Sequence, residues 1–197
     1  MCRLKNHFRQ RGVAGAGPIP RMRFLLWLCP FFFVMLEIPL QIQGLGMFLY
    51  SPDAVAHIPE GADYLRDHFW EPADVARHVM ECRLTGFGTG SPGSFRLHFL
   101  EGPPEEAVVE SLHFKLRLGL QVNGGVICVH DLYDLMEWSR TCPDAQQIHV
   151  PDGWYRLTVI SSTPPSGILG DEQGIVIFLE SVECKPQLHW AGVPSLC

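Results

Sequence analysis

Five carboxylates in two short runs are the residues best suited to meet a partner: Asp131, Asp134 and Glu137, then Asp171 and Glu172. The first three stand at i, i+3 and i+6, a spacing that sets them along one helix flank. Their ordinary role would be a cap and a solvated face. The other two follow a Pro/Ser/Gly stretch at 162–170, and loops on a rigid scaffold often carry binding function. Carboxylates presented in this way suit pairing with a cationic surface rather than bond-making.

Bond-making chemistry finds little local support. Eight histidines lie beyond residue 47, and none forms H-x-H or H-x-x-x-H. His98 and His113 fall on the polar phase of alternating runs. His130 and Asp131 are adjacent, so on a strand their side chains diverge. The seven cysteines (2, 29, 82, 128, 142, 184 and 197) contain no C-x-x-C pair, which disfavours zinc and thioredoxin-like chemistry. Cys128, inside an apolar run, reads as a buried free thiol.

Gly88-Thr89-Gly90-Ser91-Pro92-Gly93 matches G-x-G-x-x-G, but a strand follows it where a phosphate site needs a helix N-terminus. Ser91 is in no G-x-S-x-G elbow. No catalytic residue, metal ligand or cofactor is therefore assigned, and a non-enzymatic protein is expected. The exception would be a hydrolase whose fold gathers Ser or Cys, His and a carboxylate from separate segments.

The elements that must position these residues are mostly strands. Leu112, Phe114, Leu116, Leu118 and Leu120 alternate with His113, Lys115, Arg117 and Gly119, the period of a half-buried strand. Asn123-Gly124-Gly125 and VICVH (126–130) follow, and the set reads as a β-hairpin. Phe95, Leu97 and Phe99 alternate likewise. Further strands are expected at 147–150, 154–161 and 175–182, the last central. The tail should be an edge segment.

A short helical or irregular piece is expected at 62–70, one or two helix turns at 72–80 with Pro72 first, with a run straight into a strand through Val79 and Cys82 as the alternative, and a short helix at 131–138 with Asp131 as N-cap. The fold class is mainly β, an antiparallel β-sandwich with one or two short helices. Sixteen prolines and nineteen glycines disfavour long helices.

Composition bounds the rest. Hydrophobic residues are 47% of the 197, enough for a packed core. The domain reading is a basic, then hydrophobic, extension at 1–46 and an acidic body at 47–197. The extension holds Arg3, Lys5, Arg9, Arg11, Arg21 and Arg23, then the apolar stretch Phe24 to Leu40. That stretch fits a signal or membrane anchor, a structured extension, or sequence upstream of a later start at Met22 or Met47.

The body carries twenty Asp+Glu against nine Lys+Arg, a net of −11. Such a surface repels phosphate backbones, so no nucleic acid is expected as partner. A basic protein is expected instead. Unpaired thiols suit a reducing cytoplasm. The alternative is a membrane-anchored or exported module that binds a small ligand or sugar through Trp70, Trp138, Trp154 and Trp190.

The C-terminal half has a further signature: GVICV, then Val150-Pro151-Asp152-Gly153, Tyr155-Arg156-Leu157-Thr158, an acid-bearing loop, and Ile175 to Val182. It resembles the end of the bacterial competence nuclease inhibitors and related immunity-type proteins, over about 60 of the 197 residues. The resemblance implies a β-sandwich that binds and neutralises a nuclease or toxin. It carries over no individual site residue.

Overall fold

The structure is a computed structural model that describes residues 34–112 and 114–196. His113, the basic run at 3–23 and the first part of the apolar stretch lie outside the described residues. Among those described, no helix is long and apolar enough to cross a membrane.

The chain is mainly β, with two mostly antiparallel sheets. Its strands are β1 (Val34–Ile42), β2 (Gly46–Tyr50), β3 (Leu84–Gly88), β4 (Gly93–Glu101), β5 (Phe114–Val122), β6 (Val126–Asp131), β7 (Gln147–His149), β8 (Gly153–Ser161) and β9 (Gln173–Val182). One sheet has the order β1-β4-β9-β8-β5 and the other β3-β2-β6-β7. Only the β4–β9 pair is parallel among these strand pairings. The tail lies at the outer edge of β3, where Gly88 N–H donates to the Pro194 carbonyl and Leu196 N–H to that of Gly88.

Residues 34–42, which the sequence reading assigns to the extension, form strand β1. It pairs with β4 in register from Leu36↔Phe99 to Ile42↔Gly93 and sends Ile38, Leu40 and Ile42 into the core. The alternation of these residues with Glu37 and Gln41 is the period of a half-buried strand. Pro39 is tolerated because β1 is an edge strand, with one side free of ladder bonds.

Alternation holds in β5, where Leu116, Leu118 and Leu120 are buried while Lys115 and Arg117 are exposed. Gly119 departs from the polar phase because a Cβ there would lie 2.6 Å from Cys82 Sγ. β9 is central and apolar on both faces, as its sequence suggests. Ile175, Ile177 and Leu179 join the main core. Phe178 joins Leu100, Val109 and Ile160 in a second cluster, which draws Val109 from helix α3 (Glu106–Glu110).

The expected hairpin is not formed. β5 pairs with β8 in one sheet, and β6 with β2 and β7 in the other. Asn123-Gly124-Gly125 instead carries the chain from sheet to sheet. Ser51 Oγ donates to the Asn123 carbonyl at 2.5 Å and accepts from its N–H at 3.0 Å. Gly125 N–H donates to Asp152 Oδ1 at 2.7 Å. Both glycines have positive φ, 81° and 73°, open to residues without a Cβ. Partners remote in sequence decide this turn, which local chemistry alone would make a hairpin.

The described helices exceed the one or two expected. α1 (Tyr64–His68) and α2 (Pro72–Glu81) join α3, and 3-10 turns span Pro52–Val55, Leu132–Glu137 and Asp144–Gln146. α2 begins with Pro72 at its first position and Asp74 in its first turn, where a fixed φ and a negative charge both suit the helix start.

Replacing Ile38 by Ala should cost about 2–5 kcal/mol, the range for truncating a buried aliphatic side chain. Leu36→Ala, at an exposed position of the same strand, should stay within about 0.5 kcal/mol. Urea unfolding of the two variants checks the pair.

Candidate functional site

β6 is buried on both faces from Ile127 to Asp131. Period two sets Cys128 and His130 on one face, and registration with β2 aligns them with Tyr50 and Phe48. The segment 132–146 lies over this face. Trp138 is its anchor, 2% exposed, with its ring centroid 5.1 Å from that of Tyr50 and 6.3 Å from that of Phe48.

The covering segment starts at Asp131, which points away from His130 as strand geometry requires. Its carboxylate accepts from Gln43 N–H at 2.5 Å, Gly44 N–H at 3.2 Å and Tyr133 N–H at 3.1 Å. The last of these is the expected N-cap bond, although the segment it caps is 3-10 helical. The residue itself is 7% exposed. Asp131 thus ties the β1–β2 loop to the covering segment. It does not share a solvated flank with Asp134 and Glu137, because an N-cap residue is extended rather than helical.

Asp134 and Glu137 are exposed, as are Asp171 and Glu172. Asp134 contacts His130 Nδ1 through Oδ2 at 2.9 Å. Glu172 pairs with Arg96 at 2.7 Å and has a φ of 49°. Successive loop contacts link the two acidic runs at one end of the sandwich. Gly44 lies against Asp131 and the Tyr133 ring. Thr89 N–H donates to the Leu45 carbonyl, and Ser94 N–H to that of Gly170. Leu45, Tyr133, Met136 and Ile168 on these loops are exposed.

Residues 34–196 hold 21 Asp+Glu against nine Lys+Arg, a net of −12. Six of the nine cations are already in ion pairs: Arg66, Arg77, Arg96, Lys115, Arg117 and Arg156. Among the described residues, Glu137 and Asp171 take part in no ion pair.

A second constellation was not named from the sequence. Cys142, on the covering segment, lines the same cavity as Cys128, with its Sγ 3.8 Å from the Pro143 and Gln146 carbonyl oxygens, and it interacts electrostatically with Cys128 and His130. His130 Nε2 lies 3.4 Å from the Tyr50 hydroxyl. Burial opposes charge on His130, but the interactions with Asp134 and Cys142 outweigh it and push its pKa up to about 9. Interaction with Cys128, against burial and with help from His130, holds the Cys142 thiol down to about 6. Cys128 is pushed up by its interaction with Cys142 and by burial, and Tyr50 mainly by burial.

A cysteine, a histidine and a carboxylate therefore meet beside a cavity of about 180 Å³, whose walls include Cys128, Cys142, Asp53 and Arg140. That volume is below the roughly 300–1,000 Å³ of small-molecule pockets. No cluster of three or more His, Cys, Asp or Glu among the described residues could hold a metal ion. The i, i+4 spacing of His130 and Asp134 was visible in the sequence. The partnership of Cys142 was not, because it depends on how the covering segment folds back.

The tryptophans do not form one surface. Trp138 is core, whereas Trp70 is 67% exposed.

Asp131→Ala strands three backbone N–H groups that its carboxylate now accepts from. The expected loss is about 1–3 kcal/mol, against about 0.5 kcal/mol or less for Glu137→Ala, both read from urea unfolding.

No protein-family model matches this chain, and no curated protein does. Two solved structures are similar to it. One is the crystal structure of ComJ, inhibitor of the DNA degrading activity of NucA, from Bacillus subtilis, at 14% identity and a TM-score of 0.48, over 77% of this chain and 99% of that one. The other is the product of Crocagin biosynthetic gene J, at 12% identity and a TM-score of 0.47, over 74% of this chain and 95% of that one.

Proposed function

We propose that this protein is an acidic binding module that docks onto a basic protein, in the manner of a nuclease inhibitor or immunity protein. The observation that carries the reading is the loop end of the sandwich. There Asp134, Glu137 and Asp171 stand beside exposed Leu45, Tyr133, Met136 and Ile168 on a domain of net charge −12.

The two kinds of side chain do different work. Carboxylates steer a cationic partner and set its orientation, mainly through the association rate. Aromatic and methionine side chains supply the desolvated contacts at the centre of an interface. Enzymes that cut nucleic acid gather cations along the path of the phosphate backbone. A cleft of that sign complements this surface, and the C-terminal resemblance points to the same partner class.

A charge-reversed double variant, Glu137→Lys with Asp171→Lys, tests the reading. Both residues are exposed, so the fold should be unaffected. In capture from native lysate, the wild type should retain a basic protein that the variant loses. The association rate with that protein should fall by about tenfold or more and depend steeply on salt. Retention of acidic proteins only, or equal retention by the two forms, would sink it.

A further inference from the structure

Cys128 is fully buried on β6, whereas Cys142 on the covering segment is partly exposed and lines the cavity beside it. Both free thiols line this one cavity, and each acts on the ionisation of the other, as His130 does on that of Cys142. Of this arrangement, only Asp134, which contacts His130 Nδ1 at 2.9 Å, also belongs to the proposed docking surface. We propose that Cys142 is an oxidant-reactive thiol, with Cys128 as its resolving partner, and that a hydroperoxide converts the two to a disulfide.

The chemistry balances within the site. The Cys142 thiolate attacks one peroxide oxygen, and the O–O bond breaks. The departing oxygen takes the proton carried by the His130 imidazolium and leaves as water or alcohol. Cys142 is now a sulfenic acid. Cys128 sulfur attacks Cys142 sulfur, the S–O bond breaks, and the Cys128 proton leaves with that oxygen as water. Two thiols have been oxidised and one peroxide reduced.

Each neighbour has a part. His130 is held by Asp134 Oδ2 at 2.9 Å, which keeps a proton available next to sulfur. The lowered pKa of Cys142 makes it the attacking thiol at neutral pH, and the raised pKa of Cys128 keeps that thiol protonated until the second step. The cavity, about 180 Å³, admits a small peroxide and is too small for a bulky acyl substrate. The groups facing Cys142 are Tyr50 from β2, Cys128 and His130 from β6, Asp134 through His130 from the 3-10 turn, and Arg140 and Asp53 at the cavity wall.

The test uses the reduced full chain and hydrogen peroxide, with disulfides mapped by mass spectrometry over all seven cysteines. The expected first product is a Cys128–Cys142 cross-link, with Cys184 still reduced. In Cys128→Ser the reaction should stop at a sulfenic acid on Cys142 that dimedone traps.

Alkylation of Cys142 should rise with pH through a midpoint below the ordinary thiol value of about 8.5. Asp134→Asn, at an exposed position, should raise that midpoint and slow reaction near pH 6 by up to about tenfold. A first cross-link elsewhere, or a Cys142 alkylation profile identical to that of Cys184, would overturn the proposal.

Discussion

A strand buried on both faces needs two coverings, and β6 obtains them from different parts of the chain. The residues of one face, Ile127 and Val129, are fully buried in the main core. The other face, with Cys128 and His130, is closed by the segment that leaves the same strand at Asp131 and folds back over it. Trp138 supplies the apolar weight of that closure. The Asp131 carboxylate sets its starting direction by accepting three backbone N–H groups that would otherwise be desolvated without partners. The exposed residues of the covering segment and the meeting of Cys142 with His130 both depend on this arrangement. Tyr133, Asp134, Met136 and Glu137 are carried on the outside of the covering segment, and Cys142 is turned inward by its return.

The charge of the domain is organised as well as negative. Several cations lie along the outer face of the five-stranded sheet, where Arg96 meets Glu37 and Glu172 and Arg156 meets its registered partner Glu180. Exposed pairs of this sort add about 0–1 kcal/mol each. Their larger consequence is distribution. Arg96 spans sheet and loop, holding Glu37 on β1 and Glu172 on the loop, and Glu137 and Asp171 stay outside the ion pairs of the described residues.

Polar chemistry is buried here where hydrogen bonds can satisfy it. His130 tolerates burial because its two ring nitrogens face Asp134 and the Tyr50–Cys142 side of the site. A charged imidazole buried against the Phe48 and Tyr50 rings would be costly without such partners. The same low-dielectric setting strengthens its interaction with Cys142. The cavity beside Cys142 keeps that sulfur within reach of small solutes.

Much of this was written in local patterns. The alternation of Leu116, Leu118 and Leu120 against Lys115 and Arg117 determines a half-buried strand, because side chains along extended backbone face opposite sides in turn. Pro72 and Asp74 determine a helix start, and Asp131 a cap, because the unsatisfied N–H groups of a helix end act within a few residues. Net charge is a sum over composition and needs no fold at all. Tertiary structure decided the rest. Whether Asn123-Gly124-Gly125 closes a hairpin or crosses between sheets depended on Ser51 and Asp152. Whether Asp131 faced solvent depended on the loop at 43–44, and whether Cys142 met His130 on the return of a covering segment. Each outcome is set by which distant group supplies the missing hydrogen bond or covers the exposed face, and such partners are chosen by packing in three dimensions rather than by neighbours along the chain.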